Sequence, residues 1–159
     1  MSARFVRRGV TKIFFVPAVA DIAVGATRAE ITAGTDMSAQ VAEVAGWLMT
    51  NQAIPTPDLG SSFESSIPGT NQTADSSLTF YEDLEDETLE EMLPPLTPGF
   101  VVFLRKGDKP TSKSMDTFPV RVASKGSAIT TGNEAARWTA AFGITGEPSL
   151  DQPVPAAAA

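Results

Sequence analysis

The residues able to do chemistry in this chain are almost all carboxylates. It contains no histidine and no cysteine, which removes the usual general base near neutral pH, thiolate nucleophiles and zinc–thiolate sites. Ser-His-Asp and Cys-His catalysis are therefore excluded. No Gly-rich phosphate loop and no supported Ser-x-x-Lys arrangement is present. A pair of acids working as in a glycosidase remains the one catalytic arrangement still open, because such a pair need not be close in sequence. Residues 82–91 hold seven acids and no base. The rest of the chain has twelve acids and twelve bases, so the net charge of −7 lies in this one segment. Carboxylates attract Ca²⁺ and Mg²⁺, but acids spread around a helix do not converge on one ion and no Asp-x-Asp-x-Asp-Gly loop frames them. A solvated face, or a negative surface turned toward a channel or a basic partner, accounts for them better. No metal and no cofactor is expected.

The element that carries these acids is predicted as a short helix over 83–93. Asp83 is in place to cap it, acids fill its first turn, and Pro94-Pro95 ends it. Leu89, Met92 and Leu93 form its apolar stripe, with Asp86, Glu87, Glu90 and Glu91 on the opposite surface. Before it, Ser76–Tyr81 alternates as a strand with Leu78 and Phe80 on one side.

The remaining elements read mostly as strands. Twelve Gly and twelve Pro among 159 residues, with many Ser and Thr, fit a turn-rich β protein. Lys12–Val16 is a predicted strand and 18–26 a loop. Arg28–Thr32 alternates and reads as a second strand, followed by a turn at Gly34-Thr35-Asp36. Val41–Thr50 reads as a strand with Ala42, Val44 and Leu48 facing away from Glu43 and Trp47; a helix at 36–43, capped by Asp36, competes. Residues 48–75 form a long Pro/Ser-rich loop, with one short strand near Phe63–Ile67. Phe100–Arg105 is a continuous apolar run suited to a buried strand, and 107–114 a polar turn. Phe118–Ser124 alternates with Val120 and Val122 inward. Lys125-Gly126-Ser127 is read as a bend, with a strand continuing over 128–131. Ala136–Thr145 places Trp138, Ala140, Phe142 and Ile144 on one face. Trp47 and Trp138 are expected in the core. The tail from Gly146, with three prolines and four final alanines, reads as an extended arm. The class is mainly β, sandwich- or barrel-like, with one flanking helix.

The first residues are basic and precede an apolar run, but Lys12, Pro17 and Asp21 break that run, and no signal peptide is expected. No run reaches the length of a membrane-spanning helix. The Asn71-Gln72-Thr73 sequon is read as chance.

Five segments in order, TRAEITAGTDMSAQVAEVAGW (27–47), PTPDLGSSFESSIPG (55–69), SSLTFYEDLED (76–86), PGFVVFLRKGD (98–108) and MDTFPVRVAS (115–124), resemble the major tail tube proteins of long-tailed bacteriophages. The likeness is to the non-contractile type of phages infecting actinobacteria. It implies a phage tail tube fold in a single domain over 13–145, with an N-terminal arm at 1–12 and a C-terminal arm at 146–159. It also implies hexameric rings stacked into a hollow tube, a virion location after assembly in the host cytoplasm, and DNA ejection through the tube. The implied partners are further copies, the tape measure, tail terminator and tail tip proteins, and DNA in transit without specific binding. In this family strands line the lumen, so the acidic helix is expected on the flank. Candidate contacts between subunits are Arg7, Arg8, Arg28, Glu30, Pro55, Pro57, Asp58, Phe63, Arg121 and Arg137, with Lys125 a similar candidate. Other virion components, such as a terminator or decoration protein, and a carbohydrate-binding β-sandwich are the rival readings. The last needs an exposed row of aromatics, and the chain has one Tyr and two Trp.

Overall fold

The computed structural model describes residues 3–156. Its ten strands are β1 Lys12–Val16, β2 Thr35–Asp36, β3 Val41–Ala45, β4 Met49–Pro55, β5 Ser66–Thr73, β6 Ser76–Tyr81, β7 Pro98–Leu104, β8 Lys113–Ala128, β9 Arg137–Ile144 and β10 Ser149–Pro153. Two helices, α1 Arg28–Ala33 and α2 Thr88–Met92, complete the set.

Eight strands form one antiparallel sheet, seven of them in the order β2-β1-β7-β8-β9-β6-β3 and β10 off this path on β8. The long strand β8 organises it. One side of β8 pairs with β7, and the other carries β9 along Val120–Ala128 and β10 along Lys113–Thr117. β4 and β5 pair only with each other, as a separate hairpin.

The sheet is curled. Trp47, just beyond the β3 edge, lies with its ring centroid 5.1 Å from Phe103 of β7, 5.2 Å from Phe118 of β8 and 5.5 Å from Phe142 of β9. Such contacts need the sheet to bend its inner face around the indole, so the core fills the hollow. Leu78, Phe80, Val101, Val120 and Val122 line the same core. Among the described residues the edges β2 and β3 do not meet, so the barrel stays open. A second cluster, around Val16, Ile31, Val102, Leu104 and Met115, fills the other face of β1 and β7. The continuous apolar run of β7 follows from this, because a strand covered on both sides has no reason to alternate.

Several expectations are corrected. Arg28–Thr32 is helical: Thr27 caps it through a capping box, its hydroxyl accepting from the Glu30 N–H while the Glu30 carboxylate accepts from the Thr27 N–H. Ile31 is the buried residue of that turn. The expected turn at 34–36 contains β2, paired to β1. The acidic helix is 88–92 instead of 83–93. Asp83 accepts from the Glu85 and Asp86 N–H groups, and Asp86 accepts from that of Thr88. These local bonds offer the backbone an alternative to the helix over 83–87, so Asp83 caps a turn and Glu87 stands at the helix start without a capping bond. The apolar stripe is as expected, with Leu89 and Leu93 buried.

The strand expected over 41–50 breaks at Gly46 and Trp47, which have φ of 80° and 65°. Two left-handed residues in succession turn the chain over, so Trp47 enters the core while Val44 and Leu48 are exposed. No helix forms at 36–43. The loop expected over 48–75 is the β4–β5 hairpin. The bend at 125–127 is absent, because β9 pairs with Lys125, Gly126 and Ser127 in turn, and β8 ends at Ala128. The tail is extended, but its residues 149–153 are docked on β8 as β10.

Candidate assembly surfaces

The hairpin is the exposed element with the most apolar surface. Leu48, Ile54, Leu59, Phe63 and Ile67 are all exposed, Phe63 at 75%. Ile54 and Ile67 face each other across the two strands, so they share one face. A bulge interrupts the pairing near Asn51. There the Asn51 side chain donates to the Gly69 carbonyl and accepts from the Gly69 N–H, both at 2.9 Å. Only glycine fits at 69, since a Cβ would overlap the Gln52 carbonyl oxygen. At the tip, Asp58 accepts from the Gly60 N–H and Ser61 from that of Phe63. The tip is thus ordered by its own turn chemistry.

The ends of the sheet differ in charge. The registers put Lys12, Leu104 and Lys113 at one end and Tyr81, Ala128 and Arg137 at the other. The first end carries Arg7, Arg8, Lys12, Lys106, Lys109 and Lys113; the acidic segment leaves β6 at the second. Asp86, Glu87 and Glu91 are exposed and Glu90 half-buried. Thr88 holds the Asp86 carboxyl below its ordinary range by donating to it from hydroxyl and backbone. Among the described residues no group of three or more Asp, Glu, His or Cys is arranged to hold a metal ion.

The candidate contact residues fall into three sets. Pro55, Pro57, Asp58 and Phe63 gather at the hairpin tip, all exposed. Arg7, Arg8 and Arg121 are exposed on the body, although Arg7 also reaches the Arg105 carbonyl at 3.3 Å. Arg28, Glu30 and Arg137 are engaged within the chain. Arg28 forms a two-pronged ion pair with Asp108, at 2.9 and 2.6 Å, and donates to the Pro155 and Ala156 carbonyls. That pair holds the Asp108 carboxyl below its ordinary range and the Arg28 guanidinium above its own. Glu30 is lowered chiefly by the Thr27 N–H, with help from that of Ala20. Arg137 lies 5.5 Å over the Tyr81 ring, and Lys125 5.7 Å over Trp138 while donating to the Glu90 carbonyl. Both tryptophans are buried, so neither offers a sugar platform.

A cluster of charges under β10 carries no signal in the sequence. Arg105 lies 3.0 Å from Asp116 and also pairs with Asp151, while the Asp151 N–H donates to Asp116. Burial pushes the Asp116 carboxyl up, outweighing its bond from Asp151 and the nearby Arg105. No spacing rule joins residues 105, 116 and 151; only the strand pairing does.

The sequence profile of the phage tail tube protein family matches residues 1–157. The chain belongs to the phage tail tube protein family. It is thus a structural component of a phage tail. Solved structures share the fold at low identity. A chain of the anti-feeding prophage baseplate, 6-fold symmetrised, is 10% identical with a TM-score of 0.63, over 95% of this chain and 99% of that one. A chain from the tail of an empty GTA particle, refined with C6 symmetry, is 11% identical with a TM-score of 0.53, over 89% and 93%. One from the virion of a native gene transfer agent is 12% identical with a TM-score of 0.50, over 73% and 87%. No curated protein matches in sequence.

Proposed function

We propose that six copies of this tail tube protein form a ring, and that rings stack into the hollow tube of a non-contractile tail, through which DNA passes into the host. The observation that carries this reading is the β4–β5 hairpin. It is an ordered pair of strands whose apolar residues stay exposed in their own subunit, so a second copy is their natural cover. The sixfold symmetry of the two similar assemblies supports six copies in each ring. The open sheet edges offer unpaired backbone groups to neighbours in the same ring. The opposite charges of the two sheet ends favour head-to-tail stacking of one ring on the next. The segments 1–12 and 146–159 extend these contacts as arms around the 13–145 domain.

Outside the acidic segment the chain carries no basic surplus, and a wall that neutralises few phosphates gains little counterion release and lets DNA slide. The acidic segment lies beyond a strand end, on the flank. Its role in this reading is between rings and not along a lumen lined by strands. The tape measure, tail terminator and tail tip proteins are the partners that set the length and ends of the tube, and assembly takes place in the host cytoplasm. Replacing 51–72 with a short turn tests the reading. The β core is expected to keep its cooperative unfolding while tubes are lost from electron micrographs. Normal tubes from that variant would overturn the role given to the hairpin.

A further inference from the structure

We propose that Trp47 is the positioning residue of the assembly hairpin: it sets the direction in which β4 and β5 leave the body and so presents their apolar face for docking. The inference rests on the hairpin reading above and adds the device that aims it.

Three observations converge on this residue. First, the hairpin has little else to hold it. β4 and β5 make extensive contacts only with each other. A cleft of about 430 Å³, lined by Met49, Asn71–Thr73 and the 144–148 link, separates the hairpin root from the sheet. The hairpin is joined to the body through its two connections, at 46–48 and 74–75, which are bonded across from Ala74 N–H to the Leu48 carbonyl at 3.0 Å.

Second, Trp47 anchors the first of these connections in the core. Its ring is clasped by Phe103, Phe118 and Phe142 from three strands. Its indole N–H donates to the Ser77 carbonyl at 3.1 Å, and its backbone N–H to the Ser76 hydroxyl at 3.1 Å. Ser76 and Ser77 begin β6, directly after the second connection. One side chain therefore ties the outgoing and returning chains to the same point of the core.

Third, the backbone is unusual there. Tryptophan at φ 65° is disfavoured, as positive φ is for any bulky residue. It follows Gly46 at φ 80°, where a Cβ would overlap the Asp75 carbonyl oxygen. A core tryptophan needed only for packing has no requirement for two left-handed residues. A tryptophan that must enter the core while the next residue leaves it does have that requirement. The pairing of Gly46 with Trp47 reverses the chain within two residues, and Leu48, next in line, is exposed.

The absence of native cysteine makes the test direct. Spin labels at Ser62→Cys, on the hairpin tip, and Ser124→Cys, on β8, report the tip-to-body distance by electron–electron resonance in unassembled protein. With Trp47 in place one narrow distance distribution is expected. Trp47→Phe, which keeps a ring but loses the indole donor, is expected to broaden it. It should also raise the protein concentration needed for tube formation about tenfold, because a hairpin that is not pre-aimed pays for its ordering on docking. Trp47→Ala is expected to broaden it further, in whatever fraction retains cooperative folding. A distribution as narrow in Trp47→Phe as in the parent would overturn the proposal, whether or not the alanine variant folds.

The tip variant Leu59→Ser/Phe63→Ser separates this from the reading beneath it. Lost assembly with an unchanged narrow distance supports hairpin docking. Normal assembly by that variant overturns docking, and the Trp47 distances still decide the pivot.

Discussion

At Arg28 the guanidinium closes two gaps at once. Its two-pronged bond to Asp108 ties α1 to the turn after β7, and its bonds to the Pro155 and Ala156 carbonyls hold the chain beyond β10. Asp108→Asn keeps the shape and removes the charge. At neutral pH we expect a loss of about 1 kcal/mol, at the upper end for a partly exposed pair. The sign of its pH dependence is fixed by the pair. Because Arg28 depresses the Asp108 pKa, its stabilisation is complete above the ordinary carboxylate range and disappears as pH falls through the lowered value. Urea unfolding should therefore separate Asp108→Asn from the parent at pH 7, and the two curves should begin to converge below about pH 4 and meet only below the lowered Asp108 value. Asp116 works the other way. Burial raises its pKa, so keeping it charged opposes folding above that value, and acid relieves the opposition. Asp116→Asn, whose amide oxygen still accepts from Asp151, is expected to cost less at pH 7 than Asp108→Asn in the same titration.

Among the elements, the clearest lesson concerns which local signals win. The strands β1, β6, β7 and β9 were legible because their apolar residues follow the pleat or fill a strand covered on both faces, and the core side of β8 was legible for the same reason at Val120 and Val122. α1 was misread by the same rule. Ala29 and Ile31 alternate with Arg28 and Glu30, yet Thr27 and Glu30 form a capping box, and over six residues the cap outweighs alternation. The hairpin was hidden for a different reason. Its two strands, rich in Pro, Gly, Asn and Gln, bury nothing against their own subunit, so hydrophobic periodicity has no core face to report. β10 was similarly invisible, because its place depends on Asp151, Asp116 and Arg105 meeting across distant parts of the chain. Its attachment is testable. Ending the chain at Gly146 should expose Met115 and Thr117 of β8 and lower the thermal midpoint by several degrees, about 2–4 °C for each kcal/mol lost. An unchanged midpoint in a calorimetric scan would mean that β10 adds nothing to the isolated subunit. The tip variant Leu59→Ser/Phe63→Ser belongs at this scale too: its midpoint should stay within a degree or so of the parent, since neither side chain is buried in the subunit.

The whole molecule is electrically polar. Seven acids leave one end of the sheet and a set of lysines and arginines crowds the other. Charges facing each other across stacked rings attract at short range and are screened by salt. Glu87→Lys/Glu90→Lys/Glu91→Lys should therefore weaken assembly most at low ionic strength and approach the parent at high salt, measured by sedimentation. If the triple variant assembles normally at low salt, the acidic segment faces solvent in the tube. The fold family was legible from five collinear segments taken together, none of which is a motif by itself. Which surfaces join the copies was not legible in this way, because those surfaces carry no internal periodicity.

Electron microscopy of the concentrated, purified protein, with isolated tail tips added as nuclei, tests the central claim most directly. The account predicts hollow tubes of stacked rings whose averaged end views have sixfold symmetry. A subunit that stays monomeric on added tips at every concentration reached, or that closes into a single ring which never stacks, would contradict it.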